Sequence, residues 1–175
     1  IAQELGDQRT ENVALTGMGM VFWHEGQYRQ ALEFFTQALI MAQQLGDRRG
    51  ESLALNGLGV GYVELGEYEN ALESYEQALA IVQATGERQS ESQTLNNIGI
   101  IYQRIGQYKQ ALEYYEKALD IEREIGHRLG ENQALNNIGT VYADWGHYNK
   151  ALDSYEQALA IFRELGAQAG IAGTL

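Results

Sequence analysis

Apolar residues recur at helical spacing along this chain. Leu95, Ile98, Tyr102 and Ile105 form one stripe at i, i+3, i+7 and i+10, the mark of a helix with one buried face. A second stripe follows, made of Tyr108, Ala111, Leu112, Tyr115, Ala118, Leu119 and Ile125, with Glu122 its polar exception. Gly106 separates the two and Gly126 ends the second. Residues 95 to 126 therefore predict two amphipathic helices joined by a glycine turn.

The same pattern returns every 40 residues. Leu15, Leu55, Leu95 and Leu135 align, as do Gly19, Gly59, Gly99 and Gly139. Gly26, Gly66, Gly106 and Gly146 follow in register, then Ala31, Ala71, Ala111 and Ala151, then Ala38, Ala78, Ala118 and Ala158. A fixed period of this size marks a stacked array, in which each unit contacts mainly its neighbours. First helices are predicted over 8–25, 48–65, 88–105 and 128–145, and second helices over 27–45, 67–85, 107–125 and 147–165. The corresponding division is 1–7 as the end of a preceding second helix, 8–46, 47–86, 87–126 and 127–166 as four repeats, and 167–175 as the start of a fifth. The repeat closes on Gly46, Gly86, Gly126 and Gly166, and Gly6 and Gly46 suit left-handed residues just past a helix end. Asp7 and Asp47 suit the N-cap that follows. Glu87 and His127 suit it less, so frayed or shifted starts are expected there.

Glycine inside a helix costs about 0.5–1 kcal/mol relative to alanine. Gly19, Gly59, Gly99 and Gly139 nevertheless fall mid-helix in every unit, which calls for close approach of a partner helix. Ala31, Ala38 and their copies read the same way. Phe35, Tyr75, Tyr115 and Tyr155 are the large residues opposite that fill the remaining space.

These positions resemble the tetratricopeptide repeat: a large apolar residue, Leu-Gly and Tyr on the first helix, then Ala, an aromatic and Ala on the second. Leu55, Leu58-Gly59, Tyr62, Ala71, Tyr75 and Ala78 occupy those places. The usual repeat is about 34 residues long; the longer form here is similar to the repeats of kinesin light chain, of the Leu-Gly-Asn spindle-orientation proteins and of bacterial signalling arrays. The resemblance implies an all-α, right-handed superhelical solenoid of antiparallel helix pairs. First helices would line its concave face, and a protein or peptide would be the partner.

Composition narrows the choice. The net charge of -12 argues against nucleic acid, which needs a basic surface. No cysteine is present, so thiolate metal sites and disulfides are excluded. No apolar run reaches the roughly 18 residues that span a membrane. The chain begins at Ile1 and is read as a piece of a longer protein, expected to be intracellular and cytoplasmic. His24, His127 and His147 have no second histidine at ligand spacing. The glycines follow the repeat rather than a phosphate loop. No enzyme activity, cofactor or metal is expected. Glu33, Glu73, Glu113 and Asp153, with Glu76, Glu116 and Glu156, are expected as a solvated row on the outer face of the second helices.

Candidate binding residues are the first-helix positions beside the core stripe. They are Asn56, Asn96 and Asn136 in one column and Asn97 and Asn137 in the next. Ile100 and Thr140, Gln103, and Arg104 and Asp144 follow, with Met20 and Trp23 as an apolar pair near the N-terminal end. A carboxamide both donates and accepts, so a ladder of asparagines can grip an extended peptide backbone. The same asparagines could instead bond neighbouring helices. Equivalent positions one unit apart are expected two helix-packing steps apart, roughly 20 Å, or about six extended residues. Repeats that clamp acidic chaperone tails carry Lys and Arg where this chain has Thr16, Met20, Gly57, Gln93, Asn97 and Asn137, so that use is not expected. Tyr155, Leu159 and Phe162 on the last second helix predict an apolar end able to associate head to tail. The two other readings kept open are therefore a self-associating array and a sensor domain of a larger signalling ATPase or protease.

Overall fold

The computed structural model describes the backbone of residues 2–172 and the side chains of residues 8–166. Within these limits the chain is all-α: α1 (Ala2–His24), α2 (Tyr28–Leu45), α3 (Arg48–Leu65), α4 (Tyr68–Thr85), α5 (Arg88–Arg104), α6 (Tyr108–Glu124), α7 (Arg128–Asp144) and α8 (Tyr148–Ala172). They fall into two compact units, Ile1–Glu87 and Arg88–Leu175. In the first, α2 packs on α1 and on α3, and α3 on α4. In the second, α6 packs on α5 and on α7, and α7 on α8.

The joints have one local cause. Gly26, Gly46, Gly66, Gly86, Gly106, Gly126 and Gly146 all have positive φ, between 63° and 82°. At Gly126 the amide donates to the Arg123 carbonyl at 3.2 Å and the next amide, of His127, to the Glu122 carbonyl at 2.9 Å. This left-handed cap satisfies carbonyls that the helix leaves unpaired. Asp47 then caps α3 by accepting the Gly50 amide at 3.0 Å.

Two expectations about the joints are corrected. Helices α5 and α7 start at Arg88 and Arg128, in register with Arg48 of α3, so Glu87 and His127 cause no shift. Arginine to glutamate pairs one turn apart hold these starts: Arg48–Glu51 at 2.7 Å, Arg88–Glu91 at 2.5 Å, and Arg128–Glu131. Helices α1 and α8 run without a break through Gly6, Asp7 and Gly166, where joints were expected. Helix continuation is the default for a chain without proline. At Gly46 and Gly126 the left-handed turn joins helices that pack on each other, α2 on α3 and α6 on α7.

The mid-helix glycines are explained by the aromatic column. A Cβ on Gly19 would lie 2.6 Å from the Phe35 ring, one on Gly59 2.5 Å from Tyr75, and one on Gly99 or Gly139 2.7 Å from Tyr115 or Tyr155. Each ring lies flat in the space the missing methyl leaves. Phe35 is enclosed twice, since Gly57 faces it at 2.5 Å as well. Around these rings sit the two cores. In the first unit Ala31, Phe35, Leu55, Leu58, Ala78 and Ile81 come together. In the second, Leu112, Tyr115 and Leu119 of α6 meet Leu135, Ile138 and Val141 of α7 and Ile161 of α8. Ile105 and Ile125, placed in the stripes by spacing, are 40% and 39% exposed because they stand at helix ends beside the glycine turns.

A polar column crosses between helices of a pair. Asn12 Nδ2 donates to the Ala38 carbonyl at 2.5 Å, Ser92 Oγ to Ala118 at 3.3 Å and Asn132 Nδ2 to Ala158 at 2.6 Å. Buried Glu122 accepts from Ser92 Oγ at 2.6 Å and lies 2.7 Å from His127 Nδ1. Gly130 leaves room for that carboxylate, since a Cβ there would fall 2.2 Å from it. The expected acidic row, Glu33, Glu73, Glu113, Asp153, Glu76, Glu116 and Glu156, is exposed throughout. At the last helix Leu159 is 45% and Phe162 64% exposed, while Tyr155 is half-buried.

Candidate peptide-binding face

In the second unit α5 and α7 touch through polar side chains. Asn137 Nδ2 donates to Asn96 Oδ1 at 3.3 Å. Two helical turns further on, Gln103 Nε2 donates to Asp144 Oδ2 at 2.7 Å. The two bonds are side-chain bridges: α6 is the helix whose backbone packs closely on both α5 and α7.

The aromatic column reaches this face from behind. Tyr115 passes Gly99, and its hydroxyl donates to Gln103 Oε1 at 3.1 Å. Burial raises the Tyr115 pKa well above the ordinary phenol value, so the hydroxyl keeps its proton. Tyr155 passes Gly139, and its hydroxyl lies 3.1 Å from Thr140 Oγ1, which also bonds the Asn136 carbonyl at 2.9 Å.

The expected residues divide by role. Asn97 is half-buried, and its carboxamide makes no hydrogen bond to the described residues. Asn96 and Asn137 are occupied with each other. Asn136 is exposed and turns back to Asn132, bonding its carbonyl at 2.9 Å and its Oδ1 at 3.1 Å. Ile100 is half-buried and packs against the core of the unit. Arg104, Thr140 and Asp144 are exposed. In the first unit Asn56 is half-buried and donates to the Ser52 carbonyl of its own helix at 2.9 Å. Trp23 packs against the core and meets the His24 ring edge-on at 4.8 Å, while Met20 is 40% exposed.

Sequence reasoning missed Tyr115 and Tyr155 as groups that reach this face, having assigned them only to filling space. It also missed the buried carboxylates Glu51, Glu91 and Glu131. Their signal was present: Arg48, Arg88 and Arg128 stand three residues before them in every case. Among the described residues no group of three or more His, Asp or Glu side chains is arranged to hold a metal ion. No described helix is long and apolar enough to cross a membrane.

Helix pairs with left-handed glycine joints and an aromatic ring against a glycine define a helical-repeat protein. The family model of the tetratricopeptide repeat matches residues 10–84 and 90–164; the chain belongs to that family. No curated protein sequence matches it. Similar solved structures include BtubC from P. vanneervenii, with 22% identity, a TM-score of 0.80, and coverage of 89% of this chain and 64% of its own. A Rap protein complexed with competence and sporulation factor is 21% identical, with a TM-score of 0.82, covering 89% of this chain and 43% of its own. A kinesin light chain-type protein of Podosopora anserina, with nearly identical TPR-like repeats, is 21% identical, with a TM-score of 0.74, covering 90% and 76%. At these identities the likeness is one of fold. The chain spans less than two thirds of the length of BtubC and of the Rap protein.

Proposed function

We propose that this chain is a non-enzymatic interaction module whose second unit binds an extended peptide segment of another protein along α5 and α7. The observation that carries the reading is Asn97. Its half-buried carboxamide offers a donor and an acceptor that no described residue engages, so both are available to a ligand. A peptide backbone supplies one N–H and one C=O per residue and can pair with both ends of that carboxamide. Asn96 and Asn137 have the opposite character: their mutual bond joins the two helices, so in this reading they build the floor on which the peptide lies. The Rap structure complexed with competence and sporulation factor supports use of this fold for ligand capture.

The test is selection of ten-residue peptides from a random displayed library on the 175-residue chain, followed by calorimetry. Asn97→Ala removes one or two amide contacts, each contributing about 0.5–1.5 kcal/mol. Loss of a single contact weakens binding roughly 2- to 12-fold and leaves the melting temperature unchanged. Equal affinities for both proteins count against Asn97 as a contact.

A second reading, head-to-tail self-association, is favoured by one feature of α8. Leu152, Leu159 and Phe162 are 59%, 45% and 64% exposed, whereas Leu112 and Leu119, the α6 counterparts of the two leucines, are 7% and 6% exposed. Light scattering at rising concentration, with Phe162→Glu as control, separates this reading from a monomeric binder.

A further inference from the structure

Side chains that recur every 40 residues are accounted for by the repeat. Those that do not recur are free to serve one unit alone. Gln103 is one of these: its column varies throughout, with Trp23, Val63 and Ala143 in the other units. Only at Gln103 does the column carry a carboxamide, and there it connects buried Tyr115 to exposed Asp144.

The direction of this connection is fixed by chemistry. A carboxylate only accepts, so the end of Gln103 facing Asp144 at 2.7 Å is its NH2 group. Gln103 Oε1 therefore faces Tyr115, and the phenol donates to it at 3.1 Å. The chain runs Tyr115 O–H to Gln103 C=O, and Gln103 N–H to Asp144 carboxylate. Tyr115 is completely buried against Gly99, so the relay has a rigid anchor. Its outer end is an exposed carboxylate that keeps one oxygen free of Gln103.

Asp144 is also placed against its own stability. It is the last residue of α7, which has no basic residue in its final turn. A negative charge there is opposed by the helix dipole. Arg104, its counterpart at the end of α5, has the favourable sign. No cation of the described residues forms an ion pair with Asp144. A bound cation would offset both deficits, and the chain's net charge of -12 favours the approach of a basic ligand.

We infer that the Tyr115–Gln103–Asp144 chain is a specificity device that presents the Asp144 carboxylate to a lysine or arginine side chain of the bound peptide. Asp144 makes the contact; Gln103 and Tyr115 are positioning residues. The inference rests on the peptide-binding reading above and adds the charge of the ligand to it.

The probe is the peptide set selected from the random ten-residue library, with each lysine replaced in turn by norleucine and each arginine by citrulline. The expected result is a basic residue at one register of the selected set. Its neutral replacement weakens binding to the unmodified protein about fivefold, in keeping with an ion pair at a solvent-accessible edge. The same replacement leaves the affinity of Asp144→Asn unchanged. Tyr115→Phe and Gln103→Leu reduce the charged-to-neutral preference while still binding the neutral peptide, a split that loss of fold alone does not produce. Gln103→Leu leaves Tyr115 in place and serves if Tyr115→Phe melts early. The inference is overturned if the selected peptides lack a common basic residue. It is overturned equally if the neutral replacement acts alike on Asp144→Asn and on the unmodified protein. Should Asn97→Ala still weaken binding in that case, the peptide-binding reading stands and only the charge assignment falls. Failure of the library to yield any binder removes both.

Discussion

Gly99→Ala places a methyl where the Tyr115 ring lies. The added Cβ falls 2.7, 2.9 and 3.0 Å from three ring atoms, inside ordinary van der Waals contact. Alanine in a helix interior gains about 0.5–1 kcal/mol over glycine. Overpacking a core costs about 1–3 kcal/mol. The ring has little room to withdraw, because Tyr115 is fully buried and its hydroxyl is bonded to Gln103 at the far end. The cost wins, and we expect a net loss of about 0.5–2 kcal/mol. Gly57 and Gly17 supply an internal comparison, since they share one column of the repeat. A Cβ on Gly57 would lie 2.5 Å from Phe35, whereas Gly17 has nothing within 4 Å. Gly57→Ala is therefore destabilising, and Gly17→Ala stabilises by about 0.5–1 kcal/mol. Urea unfolding followed by far-UV circular dichroism reads all three against the unmodified chain. The midpoint should shift down, down and up with little change in slope. Stability of Gly99→Ala equal to or above that of the unmodified chain would refute the reasoning. The same substitution should also weaken peptide binding, since displacing Tyr115 moves the group that orients Gln103.

Ala111→Leu should lose about 1–3 kcal/mol in the same assay, because Ala111 is fully buried in the α6–α7 core. Ser92→Ala should lose about 1–3 kcal/mol by leaving buried Glu122 with one partner fewer, and Ser92→Thr should recover part of it if the hydroxyl is what matters. Gly106→Ala forces a side chain into φ +75°; the left-handed region costs an alanine roughly 1–2 kcal/mol, read as a lower melting temperature. Asn137→Ala, unlike Asn97→Ala, should lower the melting temperature, because it breaks the Asn96 bond between α5 and α7.

The period of 40 residues carried most of the fold, because the repeated features are local. A left-handed glycine, an apolar stripe and a glycine opposite a ring each act within one helix pair. The interior helix boundaries accordingly fall within one residue of those read from spacing. The failures lie where the outcome depends on tertiary contact. Gly6 and Gly166 match the joint pattern but lie inside helices, since a glycine permits a left-handed turn without imposing one. Glu51, Glu91 and Glu131 look like solvated charges in a list of residues, yet each is buried beside an arginine one turn earlier. The candidate face was legible as a set of columns but not as a network. Nothing in the spacing of Asn96 and Asn137 says that they bond each other, and nothing in the spacing of Tyr115 and Gln103 says that the ring threads past Gly99 to reach the amide.

The central claim is that an extended ligand lies along α5 and α7 and pairs with the Asn97 carboxamide. Side-chain amide resonances in a nitrogen-15 labelled sample report on it directly during titration with a selected peptide. The account predicts that the Asn97 and Gln103 NH2 signals move with the same saturation curve as backbone amides of α5 and α7. Those of Asn149, on the outer helix α8, should stay in place. Saturable binding that shifts α8 and leaves the Asn97 and Gln103 signals fixed would contradict it.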